Sequence, residues 1–529
     1  MNPSYRWPIV RRIASLFVDS GGRVSWLAML LLLLGQALVF AHWSISRESL
    51  WIDEFGSAAY ASQSNFVNWW HLLRTDLGSD GQMPLYHIYL WFWGQHLGTS
   101  EYLLRLANLP LVLIGHLVLF QRFRGRPWLL FCIWGVATLH PLLWFYLNEA
   151  RPYCMQYFGA CLIVSPLLQW EQLLQKDAGR PDLRTSLSGW SFTSGLMILS
   201  GSSLLGVPWA GAGVLFLAYL LYSRRWLRLE ILLPNRIALA AMVGLLCLLA
   251  IYYVDTLLQG AGASRVATTN LKTMVFSLYE ILGFSGLGPG RLALRDSIAA
   301  IKPFLPGLAV MGITVGWTLF AAIKYLVKTQ ARKDLTVAAG CVLLPVVFVV
   351  GVGLTMHFRV LGRHLIPLLV VTMLLQALGI FWSSTALSWK KRVAGMAALL
   401  LLATSSFSLR LEARHAKDNY RQAAAISRQF LSDGATVWWS ANPSALAYYR
   451  LANRSADLPR NLKLITPKLV LTTNVDEAFL ATHPAPDVLI LSKPDIYDKS
   501  GTLKQLAAHQ YEKIASLSAF SVYQRSGGD

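Results

Sequence analysis

Two adjacent carboxylates, Asp53 and Glu54, follow the first long apolar run of the chain within a few residues. Trp51 beside them has the kind of amphipathic ring that is enriched at the membrane–water interface. A carboxylate placed next to a hydroxyl group can act as a general base. The alternative is structural, because Asp is a favourable N-cap and acidic residues stabilise the first turn of a helix. The pair is therefore a candidate either for catalysis or for capping the helix that follows.

Two further short connections carry charged residues between apolar runs. One contains Glu149 and Arg151, and the other ends in Arg363 and His364. Arginine offers planar two-point contacts to phosphate oxygens. The structural alternatives are an ion pair between Glu149 and Arg151 and headgroup anchoring by Arg363. Together with the acidic pair, these residues suit displacement of a phosphate leaving group from a substrate held in the membrane.

The composition is that of a polytopic membrane protein. Of 529 residues, 55% are hydrophobic and only 14% are charged, which excludes a water-soluble globule for most of the chain. The net charge of +20 comes from short basic clusters between apolar runs, a pattern of membrane orientation rather than nucleic-acid binding. All five cysteines lie inside apolar runs, so no disulfide framework is predicted.

Apolar runs of about 16 to 22 residues predict eleven transmembrane helices. They lie near 24–43, 101–120, 127–147, 152–170, 189–205, 207–222, 236–257, 303–323, 335–356, 363–382 and 392–409. The first is too long for the apolar core of a signal peptide and is predicted to be a retained anchor. With the N-terminus in the cytoplasm, every inward connection is basic, as the positive-inside rule requires. The clusters are Arg122/Arg124/Arg126, Lys176/Arg180/Arg184, Arg224/Arg225/Arg228, Lys324/Lys328/Arg332/Lys333 and Lys390/Lys391/Arg392.

The stretch Pro84–Gly98 is apolar but only 15 residues long. Counting it as a crossing would place every later basic cluster outside, so we predict a helix at the outer interface. Its tyrosines and tryptophans favour that position. Residues 44–100 then form one outer loop that contains Asp53 and Glu54.

A later outer connection, about 258–302, is long for a compact protein. Four glycines between Gly283 and Gly290 predict little packing and much backbone freedom. We therefore predict a mobile loop that orders over a bound substrate.

The composition becomes more polar after about Leu411, where helical and β-rich stretches alternate. The sequence predicts a membrane domain over 1–410 and an α/β domain over 411–529 on the outer side. Predicted helices are 419–431, 444–451 and 503–509, and predicted strands are 436–439, 487–491 and 519–524.

Five ordered landmarks resemble those of the GT-C glycosyltransferases, in particular the protein O-mannosyltransferase and lipid A aminoarabinose transferase group. They are Trp-Ile-Asp-Glu at 51–54, Met-Pro-Leu-Tyr at 83–86, Gly98 with Ser100-Glu101 and Arg105, Glu-Ala-Arg-Pro-Tyr at 149–153, and Arg-His-Leu-Ile-Pro at 363–367. The resemblance covers about residues 24–380 and implies a GT-C-like helical membrane fold with an outer polar domain.

The resemblance implies inverting transfer of one sugar from a polyprenyl-phosphate carrier. The acceptor is an envelope glycan, lipid or protein at the outer face of a bacterial inner membrane, where membrane lipids surround the enzyme. Asp53 matches the catalytic base and Glu54 and Glu149 are the further catalytic candidates. The residues implied to contact the donor phosphate are Arg151, Tyr153, Arg363 and His364. Metal dependence is left open, with Asp53 and Glu149 as the ligands if the reaction uses Mg²⁺ or Mn²⁺.

Two other functions also place charged residues at an outer membrane face. A transporter or lipid flippase is less consistent with the sequence, because polar residues are sparse in mid-span, where transport sites lie. A polymerase or ligase of lipid-linked glycans would use a diphosphate donor. Neither the sugar nor the acceptor can be read from the residues.

The topology can be tested with single cysteines in a background without reactive thiols. Cysteines at Gln63 and Gly98 should both react with an impermeant thiol reagent in intact cells, and one at Gly125 should not. Labelling at residue 98 only after permeabilisation would show that 84–98 crosses the membrane.

Overall fold

The computed structural model describes residues 17, 22–75, 78–175, 187–223, 236–260, 268–384, 389–451 and 464–526. The chain divides into two compact units. We call residues 1–46, 67–90 and 105–412 the membrane unit, and residues 47–66, 91–104 and 413–529 the C-terminal unit. The second unit therefore includes two segments of the predicted first outer loop.

The first two thirds of the chain are helical. In chain order the helices are α1 Trp26–Val39, α2 Glu54–Ala61, α3 Phe66–Thr75, α4 Pro84–Leu97, α5 Glu101–Leu106, α6 Asn108–Gln121, α7 Pro127–Leu139, α8 Pro141–Leu147, α9 Tyr153–Gln175, α10 Leu187–Ser202, α11 Val207–Ser223, α12 Arg236–Leu258, α13 Leu271–Ile281, α14 Arg291–Asp296, α15 Leu305–Thr329, α16 Arg332–Thr355, α17 Ile366–Ser384 and α18 Trp389–Leu411. Short 3-10 turns occupy Ser79–Gln82, Leu204–Gly206, Ile298–Phe304, Gly362–Leu365 and Ala413–His415.

Eight helical stretches within the described ranges are long and apolar enough to cross a membrane, and α7 with α8 makes a ninth if that bent pair is one span. Helices α9 and α10, which are not among these candidates, coincide with the two remaining predicted runs. Each of the eleven predicted spans therefore coincides with a helix or helix pair, and the prediction of a helical polytopic protein is confirmed. The basic clusters at 176–184 and 224–228 lie outside the described residues.

The bend between α7 and α8 places the candidate residues that follow it. Their axes differ by 52°, because Pro141 cannot donate a backbone hydrogen bond and the preceding His140 is extended, at φ −80° and ψ 119°. The His140 ring then accepts a hydrogen bond from the Leu142 N–H at 3.3 Å. Helix α8 is consequently only seven residues long and ends directly before Asn148 and Glu149.

Helix α4 matches the helix predicted from Pro84, and its depth in a membrane remains a prediction. Gly94 allows close contact with α2, since a Cβ there would lie 2.7 Å from the Ala61 carbonyl oxygen. The chain leaves α4 through Gly98, at φ +102°, a conformation that L-residues rarely adopt. Ser100 is exposed and is therefore a better position than Gly98 for the thiol probe.

The prediction of an unpacked glycine loop over 258–302 is wrong for the residues described there. That region contains α13, α14 and a 3-10 turn, while 261–267 lies outside the described residues. A Cβ at Gly283 would lie 2.9 Å from Leu402, and one at Gly286 would overlap the Ser405 carbonyl oxygen. These glycines let the turn after α13 pack closely against α18, and Gly283 also has a positive φ of 94°. The sequence does not distinguish such a packed turn from a mobile loop.

The C-terminal unit contains an α/β fold. Helices α19 Tyr420–Ser432, α20 Pro443–Tyr448, α21 Glu477–Thr482, α22 Pro494–Tyr497 and α23 Thr502–Gln510 accompany strands β1 Val437–Ser440, β2 Leu464–Thr466, β3 Leu469–Leu471, β4 Val488–Ser492, β5 Tyr511–Leu517 and β6 Phe520–Arg525. The six strands form one mixed sheet in the order β2-β3-β1-β4-β6-β5, in which β1 runs parallel to both β3 and β4. All six predicted elements are present, and β2, β3 and β5 were not predicted.

Both faces of the central strands are covered. Trp438, Leu489 and Leu491 pack with Phe479 and Leu503 in one cluster of buried side chains. Successive side chains on a strand point to opposite faces, which places Trp439 on the other side of the sheet. There its ring lies 6.4 Å from that of Tyr420 and 6.1 Å from that of Phe520. The sheet is therefore a rigid support for the residues at its strand ends.

Close packing of α15 and α17 gives a stability prediction. A Cβ at Gly379 would overlap the Thr318 carbonyl oxygen, so Gly379→Ala should destabilise the protein by about 1–3 kcal/mol through overpacking. Gly316→Ala is the matched control, since a Cβ there meets nothing within 4 Å. Thermal unfolding in detergent should show a lower midpoint for the first variant only. Equal midpoints would contradict the packing.

Candidate active site

The seven predicted site residues divide between the two units. The C-terminal unit holds Asp53 and Glu54, and the membrane unit holds Glu149, Arg151, Tyr153, Arg363 and His364. Asp53 and Glu54 begin α2, Glu149 and Arg151 lie between α8 and α9, Tyr153 begins α9, and Arg363 and His364 lie in the 3-10 turn before α17.

Several hydrogen bonds hold the connection from Asn148 to Arg151 in place. Asn148 accepts a hydrogen bond from the Ser46 N–H at 2.8 Å. The Asn108 side chain donates to the Glu149 carbonyl at 2.6 Å, and the Arg151 N–H donates to the same oxygen at 2.8 Å. Glu149 and Arg151 are only 1% and 3% exposed. Charged groups buried to this degree at the end of apolar helices are costly and are usually paired or functional.

Arg151 forms an ion pair with Asp80, a residue that the sequence analysis did not select. Asp80 lies in the 3-10 turn before α4, and the carbonyl of the next residue, Gly81, accepts a hydrogen bond from the Tyr252 hydroxyl at 2.5 Å. Residues of α12 and of the 148–151 connection therefore both hold this turn. The sequence suggested Glu149 as the ion-pair partner of Arg151, and Asp80 is a partner that it did not suggest.

A second ion pair lies close to Glu149. Glu280 at the end of α13 is buried and pairs with Arg291 at the start of α14. Desolvation alone would lower the pKa of the Arg291 guanidinium, but Glu280, Tyr146 and Glu149 outweigh it and raise that pKa. Arg291 also stacks over the Phe145 ring, 3.6 Å from its centroid. Glu149 and Arg291 therefore share one electrostatic neighbourhood in the membrane unit.

The same neighbourhood reaches Tyr153 and the backbone immediately before Arg363. The Tyr153 ring lies 4.6 Å from that of Tyr146. Glu280 accepts a hydrogen bond from the Gly362 N–H at 3.0 Å, which fixes the backbone immediately before Arg363. We call Glu149, Arg151, Tyr153, Glu280, Arg291 and Arg363 the polar cluster of the membrane unit.

His364 has a structural contact in its own loop. Its Nδ1 accepts a hydrogen bond from the Leu361 N–H at 3.1 Å, and its ring packs edge-on against Phe358 at 5.6 Å. The Arg363 Nε atom lies 3.4 Å from the other ring nitrogen. These contacts hold the loop that carries Arg363.

In the C-terminal unit, Asp53 is the N-cap residue of α2, but its side chain makes no capping hydrogen bond. The capping role predicted as an alternative is therefore not carried by the carboxylate. Burial raises the pKa of Tyr497, and the carboxylates of Asp418 and Asp53 raise it further. Asp53 thus lies near Tyr497, at the end of a helix that follows the central strand β4.

Glu54 is fully buried and pairs with Lys417 at 3.0 Å. The same carboxylate oxygen accepts the Trp51 N–H at 3.2 Å. This bond closes the turn that presents Asp53. The two adjacent carboxylates are therefore in different surroundings, although the sequence treats them as a pair.

Across the described ranges no three His, Cys, Asp or Glu side chains are grouped as a metal site. Mg²⁺ is commonly held by one or two carboxylates together with substrate phosphate oxygens and water. Asp53 and Glu149 carry suitable oxygen ligands and remain the predicted pair if the reaction uses a divalent cation.

Sequence reasoning missed Asp80, Glu280 and Arg291. Each had a weak signal in the sequence. Asp80 lies three residues before the Met-Pro-Leu-Tyr landmark, Glu280 is a lone carboxylate in an apolar stretch, and Arg291 follows Gly-Pro-Gly. Only the ion pairs show that these residues belong with the predicted ones.

No family model matches this chain, and no curated protein is significantly similar to it. Two solved structures are similar in fold: ArnT from Cupriavidus metallidurans bound to undecaprenyl phosphate, and the same protein in the apo state. Their TM-scores are 0.48 and 0.49, with 12% sequence identity in both cases. The matches cover 94% of this chain and 98% and 97% of those chains.

The buried Arg151 pair should be far more important for stability than an exposed one. Asp80→Asn removes a counter-charge from a buried guanidinium and should cost about 3 kcal/mol. Asp255→Asn is the matched control, because Asp255 is half exposed in its pair with Arg74 and should cost below about 1 kcal/mol. Thermal unfolding of both variants in detergent checks this. An Asp80→Asn midpoint equal to that of the control would show that Asp80 does not compensate Arg151.

Proposed function

We propose that this protein is an inverting glycosyltransferase that moves one sugar from a polyprenyl-phosphate carrier to an envelope glycan, lipid or protein. The active site would face the outer side of a bacterial inner membrane, with the N-terminus in the cytoplasm. The observation that supports it best is the polar cluster, in which Glu280 pairs with Arg291 and binds the backbone before Arg363, Glu149 raises the pKa of Arg291, and Arg151 pairs with Asp80.

The arginines of the cluster suit the donor phosphate. A sugar carried by a lipid presents its phosphate at the membrane surface. Arg151 lies between α8 and α9, Arg291 begins α14 and Arg363 lies in the 3-10 turn before α17. Guanidinium groups bind phosphate in two-point contacts and remain charged at any physiological pH. Tyr153 and His364 would complete the surroundings of the phosphate, the first by its hydroxyl and the second by holding the loop of Arg363.

Asp53 is proposed as the general base. It would take the proton of an acceptor hydroxyl while that oxygen attacks the anomeric carbon of the sugar. The bond from that carbon to the phosphate oxygen breaks on the opposite face, and its electron pair leaves with the carrier phosphate. Attack from the opposite face inverts the anomeric configuration. The arginines stabilise the negative charge that develops on the leaving phosphate.

The other two carboxylates have supporting roles in this proposal. Glu54 closes the turn that carries Asp53 through its bond to the Trp51 N–H. Glu149 raises the pKa of the Arg291 guanidinium. If a divalent cation takes part, Glu149 and Asp53 would each supply an oxygen ligand. Such a cation would neutralise charge on the donor phosphate.

Replacing Asp53 should strongly reduce the rate of sugar transfer and leave donor binding intact. Asp53→Asn keeps the size of the side chain but removes its basic oxygen, so turnover should fall roughly 10²- to 10⁴-fold. The readout is release of polyprenyl monophosphate from an envelope lipid extract, measured by mass spectrometry. Asp433→Asn, an exposed carboxylate of the same unit, is the control and should leave turnover unchanged.

Arg363→Ala should act differently, because a phosphate contact contributes in both the ground state and the transition state. Binding of undecaprenyl phosphate and turnover should both weaken, whereas the exposed Arg332→Ala should change neither.

Near-normal turnover in Asp53→Asn would remove Asp53 as the base. Unchanged carrier binding in Arg363→Ala would remove the arginine from the donor site.

A further inference from the structure

Six of the seven residues from Ser49 to Phe55 are contacted by the sequence that follows the last span, and the seventh, Asp53, lies within electrostatic range of it. Ser49 and Leu50 meet Tyr449, Trp51 meets Lys493, Ile52 meets Asn442, Asp53 lies near Tyr497, Glu54 pairs with Lys417, and Phe55 packs on Tyr420. All of these residues belong to the C-terminal unit. Residues 46–51 have no helix or strand of their own, so tertiary contacts and the local bond between Trp51 and Glu54 define the path of the chain into Asp53.

The backbone contacts are made by uncharged side chains. The Tyr449 hydroxyl lies 2.8 Å from the Ser49 hydroxyl and accepts the Leu50 N–H at 3.2 Å. Asn442 donates its side-chain amide to the Ile52 carbonyl at 3.3 Å. Both partners are placed by helix α20, because Asn442 caps its start and Tyr449 follows its end. One short helix therefore holds the segment on both sides of Trp51.

Two lysines make the charged contacts. Lys417 pairs with the buried Glu54, and its own side chain is only 9% exposed. Lys493 pairs with Asp418 and lies 5.8 Å from the centroid of the Trp51 ring. Lys493 also has a left-handed backbone, at φ 40° and ψ 72°. A residue without glycine's freedom keeps that conformation only where its surroundings impose it, and such strain is common near functional sites.

We propose that the C-terminal unit is a clamp that positions Asp53, with Lys417, Tyr449 and Lys493 as its positioning residues. This inference rests on the proposed function, in which Asp53 is the general base. None of the three residues has to touch the substrate. Each contacts Asp53's own segment, so each acts on the geometry of the reaction through that segment.

The clamp has a clear chemical purpose. General-base catalysis needs the carboxylate within hydrogen-bonding distance of the acceptor hydroxyl, and a displacement of about 1 Å can reduce the rate about 100-fold. A segment without regular structure does not provide that precision by itself. Loosening the clamp should therefore lower kcat while the binding of the donor stays the same.

The first arm of the test needs no substrate. Amide hydrogen exchange is measured on the full-length protein in nanodiscs, in peptides that cover residues 49–55. Tyr449→Phe and Lys417→Met should each accelerate exchange there by about tenfold, since local opening becomes easier. Lys417→Arg keeps the charge and should exchange more slowly than Lys417→Met. Tyr523→Phe and the exposed Lys504→Met are the matched controls from the same unit.

The second arm measures carrier release from an envelope lipid extract. Tyr449→Phe and Lys417→Met should lower kcat by about 10- to 100-fold with the donor KM changed less than about twofold, and Lys417→Arg should restore most of it. Tyr449→Phe leaves no buried charge unpaired, so it remains informative if Lys417→Met does not fold.

Two results would overturn the clamp: unchanged exchange at 49–55 in Tyr449→Phe, or faster exchange with unchanged kcat. Failure of the proposed function has a different signature, because the unmodified protein would then release no carrier. The exchange arm would still show whether the segment is clamped.

Discussion

The cost of burying charge governs the arrangement of both candidate regions. Moving an ionised side chain out of water costs several kcal/mol, and only a well-placed partner offsets that cost. Glu54 pairs with Lys417, Arg151 with Asp80, and Glu280 with Arg291. In each pair at least one member is nearly inaccessible to solvent, and the partner comes from another part of the chain. The pairs therefore determine where the connections between helices lie.

Helix geometry explains why these pairs form at helix ends. The helices satisfy their own backbone hydrogen bonds, so their middles can be apolar. Polar side chains therefore lie where helices end. Two examples are the end of α8, the short helix that begins at Pro141, and the turn at Gly362 before α17. The Asn108 amide, which donates to the Glu149 carbonyl, and the Glu280 carboxylate, which accepts from the Gly362 N–H, then hold the backbone of the two connections. A site assembled in this way presents its arginines from fixed backbone positions, as recognition of a phosphate requires.

Much of the fold could be predicted from the sequence, because apolar length is a direct physical requirement of a spanning helix. All eleven runs coincide with helices, and the α/β character after residue 411 was also evident. The glycines at 283–290 were misinterpreted, since a glycine in close packing and a glycine in a mobile loop are identical in a sequence. Strands β2 and β3 were missed because three-residue strands are too short to show an alternating pattern.

The candidate site was only partly predictable. Asp53, Glu149, Arg151 and Arg363 stand out because charges beside apolar runs are rare, and the order of the landmarks adds to that signal. Asp80, Lys417 and Arg291 do not stand out, since nothing local distinguishes a lysine that pairs with a buried glutamate from one that faces water. Such partners are defined by the fold, which brings together residues more than 70 positions apart for Asp80 and Arg151, and more than 360 for Glu54 and Lys417.

The chemical form in which the carrier leaves tests the central claim most directly. The purified protein would be incubated with envelope lipids and an envelope acceptor fraction, and the carrier lipids separated by mass. The proposed reaction predicts accumulation of polyprenyl monophosphate that matches the sugar gained by the acceptor. Release of polyprenyl diphosphate, or sugar-loaded carrier that only changes membrane leaflet, would contradict it.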